Sequence, residues 1–395
     1  MPDYPEIGLL PGRQKRLRQG HPWAYSNEVA MDAAAKALAP GSLVILHAAD
    51  NEPLGVGFFN PHSLVAFRLL SREPAATIDE DFLAARLASA LALRETLFGE
   101  PYYRLCHAEA DGLPGLVIDR YGAVLVLQVN AAGMERLESQ LLGALDRLLA
   151  PEAVLLRNDS PVRTLEGLPL EVRLANGALE GPVELREGGA RFLADLRGGQ
   201  KTGWFFDQRH NRAFMASLAG GRRVLDLYCY TGGFAIAAAL GDATEVRAID
   251  SSEPALELAR RAAALNGVET RCRFERGHAF DAMERLAAAG ERFEMVICDP
   301  PAFVKSRKDL ATGAKGYRKM ARLAATLAAP GGFLFLASCS HNMPVEQFAE
   351  EVRRGLAQAG RSGRILLSSG AAPDHPIHPA LPESAYLKAQ AIQVD

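Results

Sequence analysis

Two side chains stand at the ends of apolar runs, in positions where chemistry is done. Cys339 sits in Ser338-Cys339-Ser340-His341, directly after Gly332-Phe333-Leu334-Phe335-Leu336-Ala337. Earlier in the chain, Met295-Val296-Ile297-Cys298 runs into Asp299-Pro300-Pro301-Ala302-Phe303. Both runs read as buried parallel strands that stop abruptly at polar residues. In open α/β sheets ligands bind beyond the carboxyl ends of the strands. A thiol and a carboxylate are therefore expected at one cleft, a pairing suited to covalent chemistry on a planar base. A lone cysteine is usually a small apolar residue. The serines and His341 around this one favour a thiolate more than an apolar core would.

A second constellation lies upstream. Asp226-Leu227-Tyr228-Cys229-Tyr230-Thr231-Gly232-Gly233-Phe234 falls at a strand-to-helix turn, where glycine lets backbone approach a ligand. Asp250 ends the next strand and is placed to accept from ribose hydroxyls. Asp226 is placed to meet an ammonium by charge-assisted bonding. The chain has neither GxGxxG nor GxxxxGK[ST] at this turn, which disfavours a nicotinamide cofactor and a nucleoside triphosphate. The bland alternative is a glycine turn with helix-capping acids in an unrelated α/β protein.

The elements that must position these residues alternate strictly from Arg222 onward. Strands are expected at 224–227, 246–250, 272–275, 295–298, 333–337, 365–367 and 385–391, and helices at 232–241, 253–266, 280–289, 317–328 and 344–359. That alternation predicts a doubly wound, mostly parallel sheet. Before it, residues 1–74 read as short strands with frequent turns, and 75–185 as a mixed α+β region with helices at 78–97 and 134–149. A glycine-rich, linker-like stretch separates this from 186–395. Within Gly12 to Trp23, Arg13, Lys15, Arg16 and Arg18 make a cationic cluster, read equally well as a solvated face or as a nucleic-acid contact.

Bulk properties set outer limits. The chain has 395 residues, 48% hydrophobic and 23% charged, which is ordinary for a globular protein of two or three domains. A net charge of −3 argues against a uniformly basic surface, though not against a local basic face. Five scattered cysteines without CxxC spacing argue against a zinc site or a disulfide framework and fit a reducing cytoplasm. No apolar stretch is long enough for a membrane span. Met1-Pro2-Asp3-Tyr4-Pro5-Glu6 lacks the basic-then-apolar order of a secretory leader.

In this order, the motifs resemble the large-subunit (23S) ribosomal RNA cytosine-5 methyltransferases with an N-terminal PUA domain, a middle α/β domain and a Rossmann-like domain that binds S-adenosylmethionine (SAM). The resemblance covers nearly the whole chain. Its most specific part is Lys201-Thr202-Gly203-Trp204-Phe205-Phe206-Asp207-Gln208-Arg209, which is similar to the family's KTGxxxDQR segment beside the cofactor. The resemblance implies a class I SAM-dependent methyltransferase, with large-subunit ribosomal RNA as partner. SAM would lie against Asp226, Tyr228, Thr231, Gly232, Gly233, Phe234, Asp250, Ser251, His278, Ala279, Asp299, Gln208 and Arg209. Cys339 would be the nucleophile that adds to cytosine C6 and so activates C5, with Asp299 orienting the base. Pro300, Pro301 and Phe303 would frame the base, and Arg13, Lys15, Arg16 and Arg18 would contact RNA. No metal is implied, and a homodimer is an admitted assembly. Two positions depart from the family pattern. Ala302 stands where many relatives have a second cysteine for product release, and His278 stands where an adenine-binding acid is expected.

Two other readings follow from the same residues. Amino- or ring-nitrogen methylation needs Asp299-Pro300-Pro301 but no thiol. A non-catalytic RNA-binding assembly factor with a vestigial site needs neither.

Overall fold

A computed structural model describes residues 3–395, so Met1 and Pro2, the start of the segment read for a leader, lie outside the described residues. The chain divides into two units. The first runs to Gly181 and takes in Asp195–Trp204 and Pro373–Pro382; the second comprises Pro182–Ala194, Phe205–Ala372 and Glu383–Asp395.

The first unit holds two five-stranded sheets. One is built from Glu6–Gly8, Trp23–Ala24, Ser42–His47, Pro53–Phe59 and Phe67–Ser71, closed around Ile7, Leu17, Val44, Leu46, Phe59 and Phe67. The other is built from Tyr102–His107, Leu116–Tyr121, Val124–Val129, Ala153–Asn158 and Glu171–Asn176, with the helix Glu80–Leu97 in its core. The expected helix over 134–149 is instead two, Ala132–Arg136 and Glu138–Leu149. Leu137 turns out of the helical region (φ −97°, ψ 9°) and is buried. A buried ion-pair network ties distant segments of this unit. Arg104 binds Asp119 through both ends of its guanidinium (2.7 and 2.8 Å), and Thr202 Oγ1 donates to the same carboxylate (2.5 Å). Tyr121 Oη donates to the Thr202 carbonyl, so Lys201-Thr202 is anchored from two sides.

The stretch read as a linker folds as a β-hairpin, Val183–Glu187 against Ala190–Ala194, in the second unit. Gly188 and Gly189 both have positive φ (60° and 81°), the demand of a tight two-residue hairpin turn. Its glycines therefore mark a turn rather than slack chain, and Leu185, Phe192 and Ala194 are buried.

The second unit carries a seven-stranded sheet, numbered here β1 (Arg223–Leu227), β2 (Glu245–Asp250), β3 (Cys272–Arg276), β4 (Phe293–Cys298), β5 (Ala328–Ser338), β6 (Gly363–Ser369) and β7 (Lys388–Val394). Their order is β3-β2-β1-β4-β5-β7-β6. The first five strands run parallel, and β7 enters antiparallel between β5 and β6. The order reverses direction between β1 and β4, the switch point at which such sheets open a crevice. Six helices flank the strands: α1 (Arg209–Ser217), α2 (Gly233–Leu240), α3 (Glu253–Leu265), α4 (Ala279–Ala288), α5 (Leu310–Leu327) and α6 (Val345–Gln358).

Helix α5 begins about two turns earlier than its apolar spacing predicts. Gly313 and Gly316 obscure the pattern because both face the loop after β4. A Cβ on Gly313 would meet Val304 Cγ2 at 2.4 Å and the Phe303 carbonyl oxygen at 2.7 Å. The close approach needs glycine, and it presses the Asp-Pro-Pro loop onto the helix. Among the described residues, no helix is long and apolar enough to cross a membrane.

Candidate active site

The carboxyl end of β1 delivers Asp226 into a buried position, 1% exposed. Neither of its carboxylate oxygens finds a hydrogen-bond partner among the described residues. Burial pushes this carboxyl well above the usual aspartate range, and the charges of Asp299 and Asp250 push it further, against the charge of Arg212. A buried carboxylate without a donor is costly unless a cation or donor arrives.

The following turn holds strain at two tyrosines, Tyr228 (φ 64°) and Tyr230 (φ 49°), in a region that side chains other than glycine rarely adopt. Backbone bonds hold it there. The Tyr228 and Cys229 amides both donate to the Ile249 carbonyl (2.9 and 3.2 Å), and the Tyr230 amide donates to Asp250 Oδ2 (2.9 Å). Gly232 completes the turn at φ 81°, where an added Cβ would crowd Ala259 and Phe274. Asp250 accepts from Ser252 through its other oxygen (2.8 Å). Each oxygen keeps a lone pair for a ribose hydroxyl. The orphaned buried Asp226, the oriented Asp250 and the side-chain-poor Gly232-Gly233 turn fit the ammonium, ribose and chain of SAM. Thr231 Oγ1 is a further buried hydroxyl with no hydrogen-bond partner among the described residues.

The remaining expected cofactor contacts divide. Phe234 is buried against Phe335, and Ala279 is buried at the start of α4, so each offers mainly backbone. Ser251 and His278 are exposed at the ends of β2 and β3, and Tyr228 is half-buried. Gln208 accepts from Asn211 (2.6 Å), and Arg209 faces Glu187 (3.5 Å). Their segment reaches the turn through its aromatics: the Phe205 ring stands edge-on to Tyr230 at 5.4 Å. Asp207 accepts from Tyr386 Oη.

At the neighbouring strand ends the thiol and the Asp-Pro-Pro turn come together. Cys339 follows the last residue of β5, and its Sγ lies 3.8 Å from the Pro300 carbonyl oxygen. Cys339 is half-buried. Of the other thiols, Cys106, Cys229 and Cys298 are buried and Cys272 is half-buried. Burial pushes Cys106, Cys229 and Cys298 well up and holds Cys272 at about 12. Cys298 is enclosed within β4, and Ala302 supplies no thiol beyond the turn. The Phe303 ring is half-buried in an aromatic cluster with Phe280 (6.0 Å) and Tyr317 (4.7 Å). Pro300 is buried and Pro301 exposed.

A buried polar network, not visible in the motifs, welds the two loops together. Ser338 Oγ donates to Tyr317 Oη (2.8 Å), Ser340 Oγ lies 2.8 Å from the same oxygen, and the Phe303 amide donates to it (3.4 Å). The Val304 amide donates to Ser340 Oγ (3.1 Å). Lys388, the first residue of β7, donates to the carbonyls of Ser340 (2.6 Å) and Met343 (2.8 Å). The serines flanking Cys339 were the one signal in the sequence. Tyr317 and Lys388 carried none.

The cationic cluster belongs to the other unit, on the short helix Lys15–Arg18. Arg16 pairs with Glu28 (2.7 Å), and Arg18 with Asp50 and Glu52. Arg13 and Lys15 form no ion pair among the described residues.

Comparison with known proteins places the fold and the family. Residues 155–362 match the S-adenosylmethionine-dependent methyltransferase family, and residues 7–72 match a PUA-like domain. A protein of Aeromonas hydrophila named ribosomal RNA large subunit methyltransferase I is 38% identical over 394 residues, covering 98% of each chain. The protein of that name from Erwinia tasmaniensis is 36% identical over 395 residues, again covering 98% of each. Among solved structures, a putative SAM-dependent methyltransferase from Streptococcus mutans superposes with a TM-score of 0.83 at 19% identity, over 98% of this chain and 100% of that one, which shows the shared fold. A putative methyltransferase solved with SAH superposes equally well. The chain belongs to the S-adenosylmethionine-dependent methyltransferases, in the family that includes these ribosomal RNA large subunit methyltransferases I.

Proposed function

We propose that this methyltransferase forms 5-methylcytosine in large-subunit ribosomal RNA, in the cytoplasm. The observation that carries the reading is the juxtaposition of Cys339 with the Asp299-Pro300-Pro301 turn. C5 of cytosine is too weak a nucleophile to take a methyl group unaided. The Cys339 thiolate adds to C6, which shifts electron density to C5. SAM, when bound, supplies the electrophilic methyl group. Loss of the C5 proton to a base then restores the double bond as the C6–S bond breaks and the thiolate leaves. Asp299 accepts from the exocyclic amino group and holds the ring in register. The base must be unpaired or flipped for its C5–C6 edge to be reached.

Ribosomal RNA is supported by the names of the relatives, by the PUA-like domain and by charge near the site. Lys305, Arg307, Lys308 and Lys315 are exposed and form no ion pair among the described residues. The first three follow the Asp-Pro-Pro turn closely, Lys315 lies in α5, and Asn342 Nδ2 donates to the Lys305 carbonyl (3.1 Å). Phosphate contacts of this kind supply most sequence-independent affinity for RNA.

Mass mapping of ribosomal RNA from cells with and without the protein tests the reading. A cytosine that carries a carbon-bound methyl only when the protein is present is expected. A methyl on an exocyclic or ring nitrogen overturns the carbon mechanism, and identical maps overturn the enzymatic reading on this RNA.

A further inference from the structure

Lys388 is 5% exposed and lies on a strand far from Cys339 in sequence. Antiparallel register pairs it with Ser338, the residue before the thiol. Two of its three N–H groups are donated to carbonyls just past Cys339, those of Ser340 and Met343. These two carbonyls bracket the turn that carries the chain away from the nucleophile, a turn closed by the Met343 amide on Ser340 (3.1 Å). A neutral hydrogen-bonding side chain would satisfy the carbonyls equally well. A buried ammonium bound only to neutral acceptors is costly, so its charge calls for an anionic partner.

The groups around Cys339 narrow the choice. Asp299 follows β4, Tyr317 projects from α5, His341 lies on the cysteine's own segment and stacks on Tyr386 (5.2 Å), and Lys388 projects from β7. Tyr317 is pushed up by burial and is a neutral donor at ordinary pH. Burial drives Lys388 down, and the charge of Cys339 holds it up. Lys388 therefore lies within electrostatic reach of the thiol, one residue across the β5–β7 ladder from it.

We propose that Lys388 is a positioning residue for the nucleophile: its ammonium fixes the Ser340–Met343 turn through two donated bonds and favours the thiolate form of Cys339. The assignment rests on the reading of Cys339 as the nucleophile. It provides, from a strand distant in sequence, the positive charge that favours a reactive thiolate.

The test follows alkylation of Cys339 by iodoacetamide across pH in the full-length protein, read by peptide mass, for wild type, Lys388→Gln and Lys388→Met. Alkylation requires thiolate. Loss of the charge should move the inflection up by about one pH unit or more, a roughly tenfold slower reaction at pH 7. The glutamine keeps a donor for the carbonyls, so the same upward shift in both variants identifies charge as the cause. A wild-type inflection in both overturns the proposal. A shift in methionine alone overturns the charge and leaves only the strut. Should the substitutions unfold the protein, Cys339→Ser supplies the reciprocal measurement. The Lys388 ammonium, followed by NMR of 13C-labelled lysine, must then titrate at lower pH than in wild type, and an unmoved titration overturns the proposal. Neither experiment reads methyl transfer, so a failure of the cytosine reading, seen as full methylation by Cys339→Ala, remains distinct.

Discussion

The sulfur of Cys339 lies 3.8 Å from the carbonyl oxygen of Pro300, although the two residues follow different strands of the sheet. Parallel pairing of β4 with β5 aligns those ends, with Cys298 opposite Leu336. Carbon methylation needs sulfur there and nitrogen methylation does not, so removing the thiol tells the two apart. Cys339→Ala should lower methylation of ribosomal RNA by about four orders of magnitude or more, as expected when a nucleophile is removed. SAM affinity, measured by calorimetry, should be unchanged, since Asp226 and Asp250 are untouched. Retained methylation in this variant would falsify the covalent mechanism.

Asp226 gives a prediction with a sign in pH. Its folded carboxyl is raised above the unfolded value, so the unfolded chain releases the proton first as pH rises. The associated stability is complete below the ordinary aspartate pKa of about 4 and drains away as pH climbs through the raised folded value. Without SAM, Asp226→Asn should therefore melt above wild type at neutral pH, with the gap closing toward about pH 4. It should also bind SAM roughly ten- to a hundredfold more weakly, the range for loss of one charge-assisted bond. Melting curves across pH, with and without SAM, decide both halves. Equal melting and equal SAM affinity would show that Asp226 neither carries a costly buried charge nor meets the cofactor.

What the sequence made legible was set by distance along the chain. Asp226 and Asp250 lie in the last residues of their strands, Asp299 and Cys339 directly follow theirs, and strand ends in an open parallel sheet share one edge. Their convergence thus needs only the alternation of strand and helix. Lys388 reaches Ser338 because β7 inserts antiparallel between β5 and β6, a choice that no local pattern announces. Tyr317 lies in a stretch where Gly313 and Gly316 delay the helical signal, for the very reason that the helix must approach Phe303 and Val304. Gly188 and Gly189 misled in the opposite sense, since positive φ in a hairpin and slack in a linker call for the same residue.

Tyr317 should behave as a brace. Its hydroxyl accepts from Ser338 and the Phe303 amide and lies against Ser340, so Tyr317→Phe strands buried polar groups on both loops. The cost should be about 1–3 kcal/mol in stability, the penalty for an unsatisfied buried group. With the thiol and the Asp-Pro-Pro turn loosened, kcat should fall about ten- to a hundredfold, while SAM affinity stays as in wild type. Denaturant melts and single-turnover rates measure the two effects separately. A stability loss with a wild-type rate would mean that the network holds the core and not the site.

The exposed cations after the Asp-Pro-Pro turn give a prediction about salt. Lys305, Arg307 and Lys308 follow a loop that is tied to the Cys339 segment through Val304 and Asn342. Among the described residues they have no acidic partner, in contrast to Arg318 and Lys319 farther along, which pair with Glu351 and Glu284. If the first three meet phosphates flanking the target base, replacing all three by glutamine should raise KM for ribosomal RNA and leave kcat near wild type. The slope of log affinity against log salt should shrink by about one unit for each phosphate no longer neutralised. Filter binding between low and moderate salt reads that slope directly. A variant with weaker affinity but an unchanged slope would point to altered shape rather than charge, and the phosphate-binding cations would have to lie elsewhere on the surface.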